Sequence, residues 1–206
     1  MAPTHSHEPV LCLGSVSPRR RELLGQIGVR FIVVAPDIDE TVRLGETPRD
    51  YVTRLAQEKA LAIRQGGQQL PVLAADTTVV VDGEIFGKPR DEAEAVQMLG
   101  VLSGRTHEVL TAIALADARG ITRRLNSSTV RFRMISVEER RAYWQTGEPR
   151  DKAGAYGIQG FGAVFIEALI GSHSGVMGLP LFETAELLRE AGIPYWAGGD
   201  RNGGPA

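Results

Sequence analysis

The amino-acid sequence predicts an α/β or mixed α+β fold built on a mixed β-sheet, because predicted hairpins and helices are interspersed along the chain. Short apolar runs bounded by turn residues indicate the strands. Ser-Pro and Thr-Pro pairs ahead of periodic segments mark the helix starts. The 206 residues, 43% of them hydrophobic, suffice for one folding unit with a sizeable core.

The first half of the chain predicts two strands and two helices. Each helix begins at a hydroxyl residue followed by proline, an N-cap and a first helical position that suit those residue types. The predicted elements are a strand at 10–13, a helix from Ser17 to about Gln26, the strand FIVVA, and a helix from Thr47 to about Gln65.

The rest of the chain predicts two hairpins, three helices and two further strands. Alternation at Val130, Phe132 and Met134 predicts that these three side chains share one face of a strand. The predicted elements are the strand PVLAAD, a hairpin around Asp82-Gly83, a helix from Asp91 closed by Gly104, a longer hairpin through 117–120, a helix capped by Ser136 and Glu139, the strand GAVFIEALI, and a helix from Leu181 to Glu190.

Composition divides the chain and excludes several function classes. We expect a disordered leader at 1–9, one domain at 10–195 and a flexible Gly-rich tail at 196–206.

The net charge of -2 and the pI near 6.1 argue against nucleic-acid binding. No apolar stretch reaches the roughly 20 residues that span a bilayer, and the leader lacks the pattern of a secretion signal. A cytoplasmic location is therefore predicted, and Cys12, inside VLCLG, is expected to be a buried thiol.

The stretch LCLGSVSPRRRELL places three arginines in the first turn of a predicted helix. Cations are unfavourable there by a few tenths to about 1 kcal/mol each, because the helix dipole is positive at that end. A bound phosphate would reverse the sign, and the hydroxyls of Ser15 and Ser17 would add donors beside Arg19 and Arg20. The alternative is that the arginines are solvated or paired with Glu22.

Three further charged residues stand out. Lys59 falls in the apolar stripe of its helix, so its ammonium needs a partner or must reach water past the edge of the core. Asp76 lies in a buried strand, so a lysine, a metal ion or a raised pKa should accompany it. Lys88 offers a second cation, although a lone lysine is most often on the surface. Glu40 ends an acidic loop that either binds a hard cation or is only solvated.

Six blocks of sequence together resemble the Maf family of nucleoside triphosphate pyrophosphatases: GSVSPRRRELL, QEKA, AADTTVVVDGEIFGKPRD, LSGRTHEVLTAIAL, DKAGAYGIQGFGAVFIEALIGS and VMGLPL. The resemblance implies an elongated mixed sheet with flanking helices and two lobes around a cleft, as in inosine triphosphate pyrophosphatases, and often a homodimer. It implies metal-dependent hydrolysis of a nucleoside triphosphate substrate to the monophosphate and pyrophosphate, with Mg²⁺ or Mn²⁺ as cofactor.

The resemblance also implies residue roles. The turn with Ser15, Ser17, Arg19 and Arg20 would grip phosphates. Glu40 would lie on the metal side, and Lys59, Asp76 and Lys88 match the EKA, ADT and KPR blocks. Asp76 would bind metal with Glu40 and would position or deprotonate the attacking water, while Lys59 and Lys88 join the arginines in neutralising the departing pyrophosphate.

The segment AYGIQG resembles the family branch that acts on dTTP and UTP. Gln159 presents one amide donor and one amide acceptor, which together fit O4 and N3–H of uracil or thymine. The runner-up function is a nucleotide-binding regulator of cell division without significant turnover. An RNA-binding module is disfavoured by the acidic net charge and the lack of aromatic platforms.

Overall fold

The computed structural model describes residues 8–196, so most of the predicted leader and tail lies outside the described residues. Seven strands form one mixed sheet in the order β2-β1-β3-β5-β6-β7, and β4 pairs with β3 beside this path. The strands are β1 Leu11–Gly14, β2 Phe31–Val33, β3 Val72–Val81, β4 Glu84–Phe86, β5 Thr106–Asp117, β6 Gly120–Phe132 and β7 Ile166–Ile170. The helices are α1 Pro18–Gln26, α2 Pro48–Gln65, α3 Glu92–Leu102, α4 Val137–Gln145, α5 His173–Met177 and α6 Leu181–Glu190.

The long strands β3, β5 and β6 carry the sheet through two lobes. In the first lobe, α1 and α6 pack on one face of the sheet and α2 packs on the other. In the second lobe, α3, α4 and the 3-10 segments enclose the far ends of the same strands. The predicted mixed α/β fold, an elongated sheet with flanking helices and a cleft between two lobes, is confirmed.

The core follows the two-residue period of β3. Leu73 and Ala75 face α1 and α6, while Val72 and Ala74 face α2. Small side chains allow α2 to approach the sheet closely, since alanines of β5 meet alanines of the helix. Farther along β3, Val79 joins the core of the second lobe. One strand therefore supplies apolar side chains to all three parts of the core.

The edge of β3 has a gap between its two partners. β1 pairs in parallel with Val72–Ala74, and β4 pairs antiparallel with Val79–Val81. Residues 75–78 between them have no strand neighbour on this edge among the described residues. Because unpaired buried peptide groups are costly, the groups in this gap need side chains, water or a ligand as partners.

The helix starts follow the sequence prediction with one exception. The side chains of Thr47, Asp91 and Ser136 accept hydrogen bonds from backbone N–H groups three residues later, and Ser136 forms a capping box with Glu139. Ser17 occupies the N-cap position of α1, but its side chain forms no capping bond. Its hydroxyl therefore stays available beside the first turn of α1.

Two local predictions are wrong. Only Ile166–Ile170 of the predicted strand GAVFIEALI is a strand, because Phe161–Phe165 forms a 3-10 helix whose first N–H groups bond to the Glu148 carboxylate. Met134 does not share the buried face of Phe132. β6 ends at Phe132, and Met134 is 75% exposed.

Phe132 tests the core of the second lobe. It is fully buried and packs edge-on against His107 and Tyr156, so Phe132→Ala should lower the free energy of unfolding by about 3–5 kcal/mol. Phe182→Ala is the matched control, since Phe182 is 73% exposed and should change stability by less than about 0.5 kcal/mol. Both values come from denaturant unfolding, and equal losses would contradict the described packing.

Candidate active site

A cleft of about 600 Å³ opens at the gap in β3. Its walls come from the β1–α1 turn, the centre of β3, the loop after β4, α2 and the segment after the α4 helix. Every residue to which the sequence assigned a site role lines this cleft: Ser15, Ser17, Arg19, Arg20, Glu40, Lys59, Asp76, Lys88 and Gln159. The fold thus brings together side chains that are up to 144 positions apart in the sequence (159 − 15).

Lys59 joins the two carboxylates of the cleft. Its Nζ lies 2.7 Å from Oδ1 of Asp76 and 2.8 Å from Oε1 of Glu40. Lys59 and Asp76 are both buried, whereas the Glu40 side chain is 52% exposed. The ammonium predicted to need a partner therefore has two, and the buried carboxylate has the lysine that its position required.

The two carboxylates differ in acidity. Burial raises the pKa of Asp76, and this outweighs the opposing charges of Lys59 and Arg20. Partial burial also disfavours ionised Glu40, but the hydrogen bond and charge of Lys59 reverse the balance and lower the pKa of Glu40. Glu40, which is partly exposed, is therefore the more acidic carboxylate of the cleft. Asp76, which is buried, is the more basic one.

Arg20 fills the gap in the β3 edge. Its Nη1 donates to the Ala75 carbonyl at 2.8 Å, and its Nε donates to the Gly178 carbonyl at 2.8 Å. Longer bonds reach Oγ of Ser15 at 3.3 Å and Oγ1 of Thr77 at 3.2 Å. Burial lowers the pKa of Arg20, although the nearby Asp76 opposes that shift. These four hydrogen bonds use most of the five N–H donors of the guanidinium and hold it in place. Arg20 therefore serves mainly as a fixed charge in the cleft wall.

The β1–α1 turn presents its polar groups to the cleft. Ser15 Oγ accepts from the Ser17 N–H at 3.2 Å, which fixes the turn just before α1. Arg19 crosses the cleft to Asp151, with Nη1 3.1 Å from Oδ2. No acidic residue lies in the first turn of α1, so the positive end of its dipole has no carboxylate from that turn. The turn is therefore suited to an anion.

The acidic loop contributes one carboxylate to the cleft. Asp39 instead accepts two hydrogen bonds from Thr41, one from its N–H at 2.9 Å and one from its hydroxyl at 2.6 Å. Within residues 8–196, no cluster of three or more Asp, Glu, His and Cys side chains is placed to hold a metal ion. Any cation here would depend on Glu40 and Asp76 together with atoms of a ligand.

Several polar residues of the cleft were given no role from the sequence. Tyr51 donates to the Glu40 carbonyl at 3.1 Å, and Thr77, Asp151 and Lys152 also line the walls. Tyr51 lies eight residues before Lys59 on the same face of α2, so helical spacing was a signal that could have found it. Asp151 ends a short 3-10 helix and Lys152 follows it, where no periodicity points to the cleft.

Lys88 and Gln159 both line the cleft, and both are exposed. Lys88 is close enough to Glu40 for its charge to help lower the pKa of that carboxyl. Gln159 belongs to a segment, Tyr156–Gln159, that lines the second lobe. The cleft therefore has a cationic end at the β1–α1 turn and an amide-bearing end beyond it.

The fold and the cleft define an α/β protein in which arginines and lysines surround a buried carboxylate. The chain belongs to the Maf family: the family model described as Maf-like protein matches residues 10–191. No helix among residues 8–196 combines the length and apolar character that crossing a membrane requires.

Curated relatives match most of the chain. A dTTP/UTP pyrophosphatase of Methylobacillus flagellatus is 56% identical over 183 residues, covering 88% of this chain and 92% of the relative. Proteins with the same name from Hahella chejuensis and Methylococcus capsulatus are 52% and 54% identical, covering 91% and 89% of this chain and 94% and 91% of the relatives.

Replacing Lys59 tests the buried ion pairs. Lys59→Met should lower the free energy of unfolding by about 3–5 kcal/mol at pH 8, because it leaves Asp76 buried without its ammonium. The deficit should shrink as the pH falls toward about 4. A carboxyl with a raised pKa in the folded state destabilises that state only when ionised, so protonation removes the penalty.

The control for this variant is Lys88→Met, which removes an exposed lysine and should change stability by less than about 0.5 kcal/mol. Urea unfolding at several pH values gives the difference from the wild-type protein directly. A deficit in Lys59→Met that stays constant from pH 8 to pH 5 would contradict a buried, ionised Asp76.

Proposed function

We propose that this chain hydrolyses dTTP and UTP between the α- and β-phosphates, giving the monophosphate and pyrophosphate. The observation that carries the proposal is the buried pair of Asp76 and Lys59 beside a cationic strand-to-helix turn. That arrangement places a proton acceptor, a binding site for a polyphosphate and fixed positive charge in one cleft. The names of the curated relatives support dTTP and UTP as substrates.

The triphosphate is proposed to lie against the β1–α1 turn. The free N–H groups of the first turn of α1 and the hydroxyl of Ser17 would donate to phosphate oxygens. Arg20 contributes a half-buried charge held by hydrogen bonds, and Arg19 and Lys88 contribute charge from the walls. These cations would stabilise negative charge on the departing pyrophosphate, and Arg20 would do so without having to reorganise.

A divalent cation fits the carboxylates that the cleft contains. Asp76 and Glu40 both contact Nζ of Lys59, so the two carboxylates converge on the same part of the cleft. Mg²⁺ commonly takes one or two carboxylates and completes its coordination with water and phosphate oxygens. When bound, Mg²⁺ or Mn²⁺ would supply Lewis-acid polarisation of the phosphates and of a water molecule.

Asp76 is proposed to position the attacking water and to accept its proton. Its raised pKa makes it a better base at neutral pH than an exposed aspartate. Lys59 contacts both carboxylates, so we assign it to positioning them, whereas the sequence suggested that it neutralises the leaving group. In-line attack on the α-phosphorus then leaves pyrophosphate at the cationic turn.

The uracil or thymine ring of the substrate would lie toward Gln159. Uracil and thymine present an acceptor at O4 and a donor at N3, and an amide side chain can pair with both. Tyr156 and Ile158 line the same wall and provide apolar surface for the ring. The homodimer and the cytoplasmic location predicted from the sequence stay predictions.

A substrate panel tests this function. Pyrophosphate release should be rapid from dTTP and UTP with Mg²⁺ or Mn²⁺, slower from CTP and purine triphosphates, and abolished by a chelator. The panel compares kcat/KM for each nucleotide at fixed metal concentration. Nucleotide binding without release of pyrophosphate from any substrate would refute the proposal and favour the regulator of cell division.

Asp76→Asn tests the assignment of Asp76 as the group that accepts the proton of the attacking water. This variant should lose roughly a thousandfold or more in kcat/KM for UTP, since the amide cannot accept the proton. Asp82→Asn is the matched control, because Asp82 pairs with Arg105 outside the cleft and its side chain is 71% exposed. Circular dichroism and thermal unfolding establish that both variants fold. Near-normal turnover in Asp76→Asn would remove this residue from the mechanism.

A further inference from the structure

One carboxylate holds the segment that carries Gln159. Glu148 accepts from the Phe161 N–H at 2.8 Å through Oε2 and from the Gly162 N–H at 3.1 Å through Oε1. The same Oε1 accepts from the Tyr143 hydroxyl at 2.6 Å. The segment just after Gln159 is therefore fastened by a side chain from a different loop.

Tyr143 holds the backbone that precedes Gln159. Its hydroxyl oxygen accepts from the Gly157 N–H at 3.0 Å while its proton goes to Glu148. Burial raises the pKa of Tyr143, which keeps the hydroxyl protonated and able to donate. Hydrogen bonds thus fix the backbone two residues before and two residues after Gln159, and both sets end on Glu148.

The glycines of this segment leave room for the anchor. A Cβ at Gly160 would collide with the Glu148 carboxylate, and one at Gly157 would lie 3.0 Å from Oε1 of Glu148 and 2.8 Å from Cε of Lys152. At Gly162 an added Cβ would lie 2.6 Å from the Tyr143 hydroxyl oxygen. The backbone therefore wraps closely around Glu148, and larger residues would push it away.

The residues that follow Glu148 also contact the β1–α1 turn, where the triphosphate is proposed to lie. Lys152 Nζ donates to the Glu148 carbonyl at 2.6 Å and to Oδ1 of Asp151 at 2.7 Å. Asp151 in turn accepts from Arg19 of the β1–α1 turn. The short 3-10 helix Glu148–Asp151 consequently contacts both the β1–α1 turn and the segment that carries Gln159.

We propose that Glu148 is a positioning residue that sets the preference for uracil over cytosine. This inference rests on the proposed function, in which the Gln159 segment reads the base. The peptide groups of Ile158 and Gln159 form none of the backbone hydrogen bonds found among residues 8–196, so they stay available to a ligand.

The physical reason lies in how donors and acceptors are fixed. An amide side chain can rotate to exchange its donor and acceptor, and cytosine presents the reverse of the uracil pattern. A backbone N–H or C=O cannot make that exchange. Selectivity therefore requires that the backbone around Gln159 be immobile, and Glu148 is the group that immobilises it on both sides.

Glu148→Gln tests the inference with almost no change in shape. The amide keeps one acceptor but turns its NH₂ toward a backbone N–H, so one anchor is lost. We expect KM for UTP to rise roughly tenfold with kcat changed less than about threefold, and the UTP-to-CTP ratio of kcat/KM to fall roughly tenfold. Tyr143→Phe removes the hydroxyl that bonds the Gly157 N–H and Glu148 but leaves the Phe161 and Gly162 bonds, so it should shift the ratio in the same direction by less.

Two controls isolate the effect. Glu167→Gln removes a carboxylate that pairs with Arg131 on the sheet edge away from the cleft, and it should leave the ratio unchanged. In a Gln159→Ala background, Glu148→Gln should still lower the ratio, since the backbone N–H and C=O of residue 159 remain and still need to be held in place. Thermal unfolding checks each variant, and Tyr143→Phe carries the test if Glu148→Gln does not fold.

The outcomes separate this inference from the proposed function. A wild-type protein that releases no pyrophosphate from UTP would refute the function and the inference with it. A wild-type protein that prefers UTP, combined with a Glu148→Gln variant that loses activity equally on UTP and CTP, would leave the function standing and refute the positioning role. A lowered ratio with kcat retained supports it.

Discussion

The gap in the edge of β3 is the constraint on which the site depends. β1 leaves the strand after Ala74 and β4 joins it only at Val79, so four residues of a central strand have an open edge. Their backbone groups need partners, and Arg20 supplies one to the carbonyl of Ala75. The sheet thereby gains a polar cleft at its centre while β3 remains paired with β5 on its other side.

The charges placed in this gap are mutually dependent. Asp76 is buried because it belongs to β3, and Lys59 reaches it because the buried stripe of α2 passes over the same part of the strand. Buried charges of this kind rarely increase stability over apolar residues of similar size. Their presence here is understandable if a charged ligand completes the set, which agrees with the cationic turn and the exposed side of Glu40.

The sequence predicted those features whose signals are local. Lys59 in an apolar stripe and Asp76 in an apolar strand are each visible within a few residues, as are the caps of α2, α3 and α4. The gap in β3 could not be predicted, because it depends on where strands far apart in the sequence begin and end. The role of Glu148 was hidden for the same reason, since its partners lie 13 and 14 residues away in an irregular segment.

The most direct measurement is the position of attack on the nucleotide. UTP is hydrolysed in ¹⁸O-labelled water, and the labelled product is identified by ³¹P nuclear magnetic resonance or mass spectrometry. A water held by Asp76 with pyrophosphate leaving at the β1–α1 turn predicts that the label enters the phosphate of UMP. Label in the pyrophosphate would place attack on the β-phosphorus and contradict this arrangement of the cleft.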